Sequence, residues 1–271
     1  MAPDTLCGVA RARATPRLLA RRGDLIAQRD PVRPSGRLLR QGDMDASYVD
    51  LADPSHLEFD YMRWMRIVLR AARARRILHI GGAACALPRA LALEDPGGRQ
   101  EVCEVDPDVL AFAREHFGLR RAPGLRVRCA EGRALLARQP DASWDAVVID
   151  AFVAAVVPRR LITVEAVAEV ARVAPLALLN VLDDRSAREV RAIGASFAAA
   201  YPQTWTLGGR SGNTIVAGSA TELDLDRIAA CAAADSSPAR LTAPSEMARL
   251  VGGTVPAQDE EADRAGPRPW C

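Results

Sequence analysis

Residues 77–80, Ile-Leu-His-Ile, begin a series of short, largely apolar runs along the chain. Further runs lie at 101–105, 126–129, 146–149, 177–181, 204–207 and 214–218. Their length and their glycine, proline or acidic boundaries mark them as strands. Between them, apolar residues recur every three or four positions, which predicts helices over 109–117, 133–138, 163–172 and 186–200. A helix over 56–72 precedes the first strand, with Leu57, Tyr61, Trp64, Met65 and Val68 on one face. Strands alternating with helices predict an α/β fold with a mostly parallel, doubly wound sheet of seven strands. The runs at 204–207 and 214–218 lack an intervening helix. Gly208-Gly-Arg-Ser-Gly-Asn213 joins them as a hairpin, so the last strand is expected to be antiparallel.

The ends of the chain pattern differently. Pro31, Pro34, Ser35 and Gly36 mark a break, so residues 1–30 are expected to form a disordered arm. Within 31–55, segments 37–41 and 47–51 are expected to pair as a small β-hairpin across Gly42-Asp43. The main domain spans 56–220. Short helices at 226–233 and 244–251 fall within 221–255, and 256–271 reads as a disordered acidic tail.

Composition narrows the function. The chain has 271 residues, 49% of them hydrophobic, enough for a substantial core. A net charge of +2 gives no general affinity for nucleic acid. All 36 basic residues are arginine, which excludes a Schiff-base lysine and a phosphate-binding P-loop. The six cysteines form no CxxC pair and none stands near a histidine at ligand spacing, so no metal is expected. They read as reduced thiols of a cytoplasmic protein. No run of about 18 apolar residues exists to span a membrane.

The candidate chemistry follows the strands. Gly81-Gly82 makes a tight turn after the first strand, where a ligand can approach the backbone. The full G-x-G-x-x-G fingerprint is absent, because Ala83-Ala-Cys-Ala86 follows. Glu104 and Asp106 end the second strand. A carboxylate there can accept both ribose hydroxyls, while Asp106 before Pro107 also suits a helix N-cap. Glu131-Gly132 follows the third strand, in the loop that borders a bound base. Asp150 follows the fourth, near the topological switch point, where it can bind or deprotonate an amine or hydroxyl. These positions point to a nucleoside-containing ligand.

With these residues, the chain resembles the spermidine synthase family, within the class I S-adenosylmethionine-dependent methyltransferase fold. The likeness covers residues 47–219. It lies in Glu58-Phe-Asp-Tyr61, Ile77-Leu-His-Ile-Gly-Gly82, Cys103-Glu-Val-Asp106, Val147-Val-Ile-Asp150 and Leu161-Ile-Thr-Val-Glu165. Ser47-Tyr-Val-Asp-Leu-Ala-Asp-Pro54 is similar to a segment of bacterial spermidine-synthase-like proteins. The resemblance implies a transferase using S-adenosylmethionine or its decarboxylated form as co-substrate, and a small-molecule acceptor. It also implies a possible homodimer. Gly81 and Gly82 would line the methionine portion, Glu104 would hold the ribose and Glu131 the adenine. Asp150 would orient or deprotonate the attacking amine, and Tyr61 would be the family's tyrosine in the substrate helix.

The chain departs from that pattern at three polar positions. Ala84 stands where the family has an aspartate, Val153 where it has a second one, and Met62 where it has a glutamine. A polyamine entering a cleft needs paired carboxylates to offset its desolvation. Each lost charged hydrogen bond costs about 1.5–3 kcal/mol. The polyamine half of the site therefore reads as dismantled, with Ala151-Phe-Val-Ala-Ala-Val-Val157 as an apolar lid. Three readings stand: a transferase for a less cationic acceptor, a true aminopropyltransferase using Asp53 or Asp60, and a non-catalytic nucleoside-binding or scaffold protein.

Overall fold

The computed structural model describes residues 16–264 apart from 154, 184, 185, 210 and 211. The chain begins with β1 (Arg17–Arg22), β2 (Leu25–Arg29), β3 (Gly36–Gln41) and β4 (Met44–Asp50), then α1 (Asp60–Ala71) and β5 (Arg76–Ile80). Next come α2 (Ala86–Glu94), β6 (Arg99–Glu104), α3 (Pro107–His116), β7 (Leu125–Cys129), α4 (Gly132–Leu136) and β8 (Ala146–Ile149). The remainder is α5 (Val164–Val173), β9 (Leu176–Leu182), α6 (Arg188–Ala200), β10 (Gln203–Gly208), β11 (Asn213–Ser219), α7 (Leu225–Ala233), β12 (Arg240–Thr242), α8 (Pro244–Val251) and α9 (Asp259–Arg264).

The central sheet has eight strands in the order β12-β10-β11-β9-β8-β5-β6-β7. Strands β5 to β9 run parallel, while β11, β10 and β12 join antiparallel at one edge. The expected seven strands thus become eight. The addition, β12, is three residues long, too short to leave a periodic signal. From β5 the chain winds through β6 to the β7 edge, then returns to β8 on the other side of β5. The crevice at the carboxyl ends of β5 and β8 is therefore the switch point, where ligands bind in open α/β sheets.

The N-terminal expectation needs correction. Instead of one hairpin after a disordered arm, β1 to β4 form a four-stranded antiparallel sheet, with β1 and β2 inside the 1–30 segment. Leu25, Ala27, Leu39 and Val49 bury their side chains in the main core, which offsets the entropy of ordering this segment. Residues 1–15 lie outside the described residues. The tail is corrected in part. Ala257 accepts from the Val164 backbone, and α9 docks beside α5. Asp259 forms a bidentate pair with Arg133 and accepts from the Thr163 hydroxyl. Residues 265–271 lie outside the described residues.

Among the described residues, a smaller core joins Cys85 and Val102 to Leu110 and Ala113 of α3, and the two largest cores lie on opposite faces of the sheet. On one, Tyr61, Trp64, Met65 and Val68 of α1 pack over Ile77, Val148, Leu178 and Ile215, the stripe expected from helical periodicity. The Trp64 indole N–H donates to the carbonyl of Ser237 at 2.9 Å. On the other, Val167 and Val170 of α5 and Ile193 and Phe197 of α6 pack over Leu78, Val147 and Leu179. Among the described residues, no helix is long and apolar enough to cross a membrane.

His79 sits inside this sheet, its ring 2.8 Å from Gln100. Burial lowers its pKa from 6.5 to about 4, so it folds neutral. The unfolded chain takes the proton first. The contribution of neutral His79 is complete above pH 6.5 and is lost as pH falls toward about 4. Urea unfolding across that window is expected to lose about 3 kcal/mol through this group, and His79→Gln is expected to flatten the slope.

Candidate functional site

Asp150 follows β8 at the switch point, half-buried. Its Oδ2 accepts from the Tyr61 hydroxyl at 2.9 Å, and its Oδ1 accepts from Nδ2 of Asn180 at 3.0 Å. The topology forces this meeting. Val148 and Ile149 pair in register with Leu178 and Leu179, so Asp150 and Asn180 fall side by side at the ends of parallel strands. Tyr61 arrives from the first turn of α1, whose apolar stripe holds it against the sheet. Gly81 makes room. A Cβ there would stand 2.1 Å from the Asp150 carbonyl oxygen, and its φ is +90°.

Burial raises the pKa of Asp150 above the usual 3.8, and the bonds from Asn180 and Tyr61 pull it back only in part. Burial, with Asp150 alongside, also holds the Tyr61 phenol well above 10. Asn180 is 1% exposed and its Oδ1 has no hydrogen-bond partner among the described residues. A buried acceptor without a donor costs about 1–3 kcal/mol. Sequence reading named Tyr61 and Asp150 as separate catalytic candidates without pairing them, and missed Asn180. Its signal was a lone amide in the apolar run Leu176-Ala-Leu-Leu-Asn-Val-Leu182.

The residues expected to hold a cofactor ring the neighbouring loops. Glu104 Oε2 accepts from the backbone N–H of Gly82 and of Ala83, both at 3.0 Å, and Oε1 accepts from Asp106 N–H at 3.1 Å. Asp106 caps α3, accepting from Asp108 and Val109 N–H. Glu131 caps α4 in the same way, accepting from Arg133 and Ala134 N–H. Gly132 is buried, and a Cβ there would meet Ile80 at 2.7 Å. A Cβ on Gly82 would meet Val102 at 2.6 Å, so packing alone requires both glycines.

The turn after Gly82 is strained. Ala83 and Cys85 have φ of 43° and 59°, in the left-handed region that favours glycine. Ala84, at the position of the resembled family's acid, is fully buried in the main core, and Met62 is buried there too. Burial pushes the Cys85 and Cys103 thiols up to about 12, which makes them poor nucleophiles. Past Asp150, Val153 and Val156 bond each other's backbone in a tight loop, and Phe152 packs against the second core. Asp53 holds the Ser55 turn, and Asp60 bonds the Tyr61 N–H and the Ser237 hydroxyl. Among the described residues, no group of three or more His, Cys, Asp or Glu could hold a metal ion.

The fold is that of class I methyltransferases in their spermidine synthase-like form. A probable spermidine synthase from Corynebacterium glutamicum ATCC 13032 is similar at TM-score 0.80 and 27% identity, over 87% of this chain and 92% of that one. A spermidine synthase in complex with the transition state analogue AdoDATO is similar at TM-score 0.62 and 14% identity, over 87% of each chain. Human methyltransferase-like protein 13 in complex with SAH is similar at TM-score 0.52 and 18% identity, over 78% of this chain and 93% of that one. No protein-family model matches the chain, and no curated protein does.

Two substitutions test this geometry. Ala83→Gly is expected to raise stability by about 0.5–1 kcal/mol in denaturant unfolding, by relieving the positive φ. Asp150→Asn keeps the shape and removes a desolvated charge. Because the raised pKa of Asp150 favours its protonated form, the wild type loses stability as pH rises through it. The variant is therefore expected to be the more stable at pH 8, with the gain fading in acid. A variant less stable at pH 8 would show that Asp150 carries no such burden.

Proposed function

We propose that the chain is a spermidine synthase-like transferase that binds S-adenosylmethionine or decarboxylated S-adenosylmethionine and alkylates a small acceptor. The observation that carries this reading is the 2.9 Å bond between Tyr61 and Asp150 at the switch point. A carboxylate held there with a raised pKa is a competent proton acceptor for an attacking nucleophile. The co-substrate would supply an electrophilic carbon bonded to a positive sulfur. Asp150 orients the nucleophile and takes its proton, and Tyr61 fixes the carboxylate plane.

The donor set fits a nucleoside. Two carboxylate oxygens offer about four acceptor sites, and Glu104 spends three on Gly82, Ala83 and Asp106. The remaining site on Oε1 can take one ribose hydroxyl. Gly81 and Gly82 would border the methionine portion, while Asp106, Glu131 and Gly132 would line the loops on the base side. Asp53 and Asp60 already bond local groups, which weighs against a paired-acid polyamine site.

One observation favours a second reading, a non-catalytic scaffold. The strained turn at Ala83 and Cys85 is closed on the chain's own Glu104. Thermal unfolding with S-adenosylmethionine, decarboxylated S-adenosylmethionine, methylthioadenosine and NAD separates the two. At a ligand concentration of about 100 times Kd, a specific ligand is expected to add about 2.7 kcal/mol of stability. Glu104→Ala is expected to abolish the response to the adenosyl ligands. No shift with any of them supports the scaffold, and a shift that survives Glu104→Ala overturns the pocket assignment.

A further inference from the structure

The segment after α8 carries an inference about the base side of the site. Two loops border that side, Glu131-Gly132 after β7 and the stretch from Asp150 to Thr163 after β8. They meet where Leu161 packs on Gly132, since a Cβ on that glycine would stand 3.4 Å from a Leu161 methyl. Arg133 ties the two together. Its Nη1 donates to the Arg160 carbonyl at 3.0 Å and to the Thr163 hydroxyl oxygen at 3.3 Å, and its backbone N–H donates to the Glu131 carboxylate at 3.1 Å. Glu131 is exposed, so a ligand can reach it. Its two cap bonds leave acceptor sites on both oxygens.

The hold on Arg133 comes from 126 residues away. Asp259 accepts from Nη1 at 2.8 Å and from Nη2 at 3.0 Å, and it also takes the Thr163 hydroxyl hydrogen at 2.7 Å. Thr163 is fully buried and caps α5 by accepting from the Ala166 N–H. The backbone around Asp259 is anchored as well. The Ala257 carbonyl accepts from the Val164 N–H at 2.9 Å, and the Asp259 N–H donates to Glu165 at 3.1 Å. An isolated exposed ion pair contributes little. This one is bidentate and part of a network, and its Arg133 side chain is only 19% exposed.

We propose that Asp259 is a positioning residue for the nucleoside: by fixing Arg133 it sets the spacing of the two loops and aims Glu131 at the amino group of an adenine base. This rests on the nucleoside-binding reading above. Asp259 touches no ligand and acts through Arg133. Without it, the loops would have to be ordered as the ligand binds, and that ordering weakens affinity.

The test is calorimetric titration of the full chain with methylthioadenosine and with methylthioinosine, which carries a carbonyl where adenine carries its amino group. The wild type is expected to prefer methylthioadenosine. Asp259→Ala is expected to bind methylthioadenosine about tenfold more weakly, the low end for one hydrogen bond to a charged group, and to lose most of the preference. Asp259→Asn keeps the side-chain shape and is expected to show the same losses, so the outcome does not depend on the larger truncation. Asp259→Glu keeps the charge and is expected to restore both affinity and preference. Undiminished affinity in Asp259→Ala and Asp259→Asn would overturn the proposal. So would weakened affinity with an unchanged preference, which would mark a purely structural clasp, or a wild type that binds both nucleosides alike. If the wild type binds neither, the nucleoside reading itself falls, whatever Asp259 does.

Discussion

The carboxylate of Asp150 lies between two groups that hold it from different elements, Tyr61 on α1 and Asn180 on β9. Much of the architecture serves that meeting. The parallel register of β8 and β9 sets Asp150 beside Asn180. The apolar stripe of α1 presses Tyr61 onto the sheet, where the ring is 7% exposed. Gly81 lets the turn after β5 pass within contact of the Asp150 backbone, where any side chain would collide. The acid is buried enough to raise its pKa and exposed enough for a ligand to reach it. Under the proposed transferase reading, this balance suits a group that exchanges a proton with an acceptor.

Beside it, the turn that would border a cofactor is held differently. Glu104 draws the N–H groups of Gly82 and Ala83 onto one oxygen. Charge-assisted bonds of this kind are strong, and they help hold Ala83 in a backbone region it disfavours. The same acid thus shapes the turn and offers a remaining acceptor site. Around it, Asp106 and Glu131 serve first as helix caps, and any contact with a ligand would add to that role.

Much of this was legible in the sequence. The seven strand runs, the α1 stripe and the Asp106-Pro107 cap follow from periodicity and local chemistry, and all occur in the fold. Naming Tyr61 as a site residue needed the family resemblance, and its meeting with Asp150 was not legible, because the two lie 89 residues apart and periodicity carries no distance. What escaped had physical causes. Arg17–Arg22 is arginine-rich and Leu25–Arg29 is only five residues long, so both fall within the expected disordered arm, yet alternate burial of Leu25 and Ala27 makes β2 part of the main core. The described part of the tail is held by Asp259 on Arg133, 126 residues away, which composition cannot reveal. Asn180 looked like an irregularity in an apolar strand until the register placed it beside Asp150.

The central claim is that Asp150 is a desolvated carboxylate held for proton exchange. Its titration can be followed directly by the carboxyl carbon-13 signal, assigned by its absence in Asp150→Asn. The account expects a midpoint above the ordinary 3.8 in the folded chain. A midpoint at or below 3.8 would contradict it.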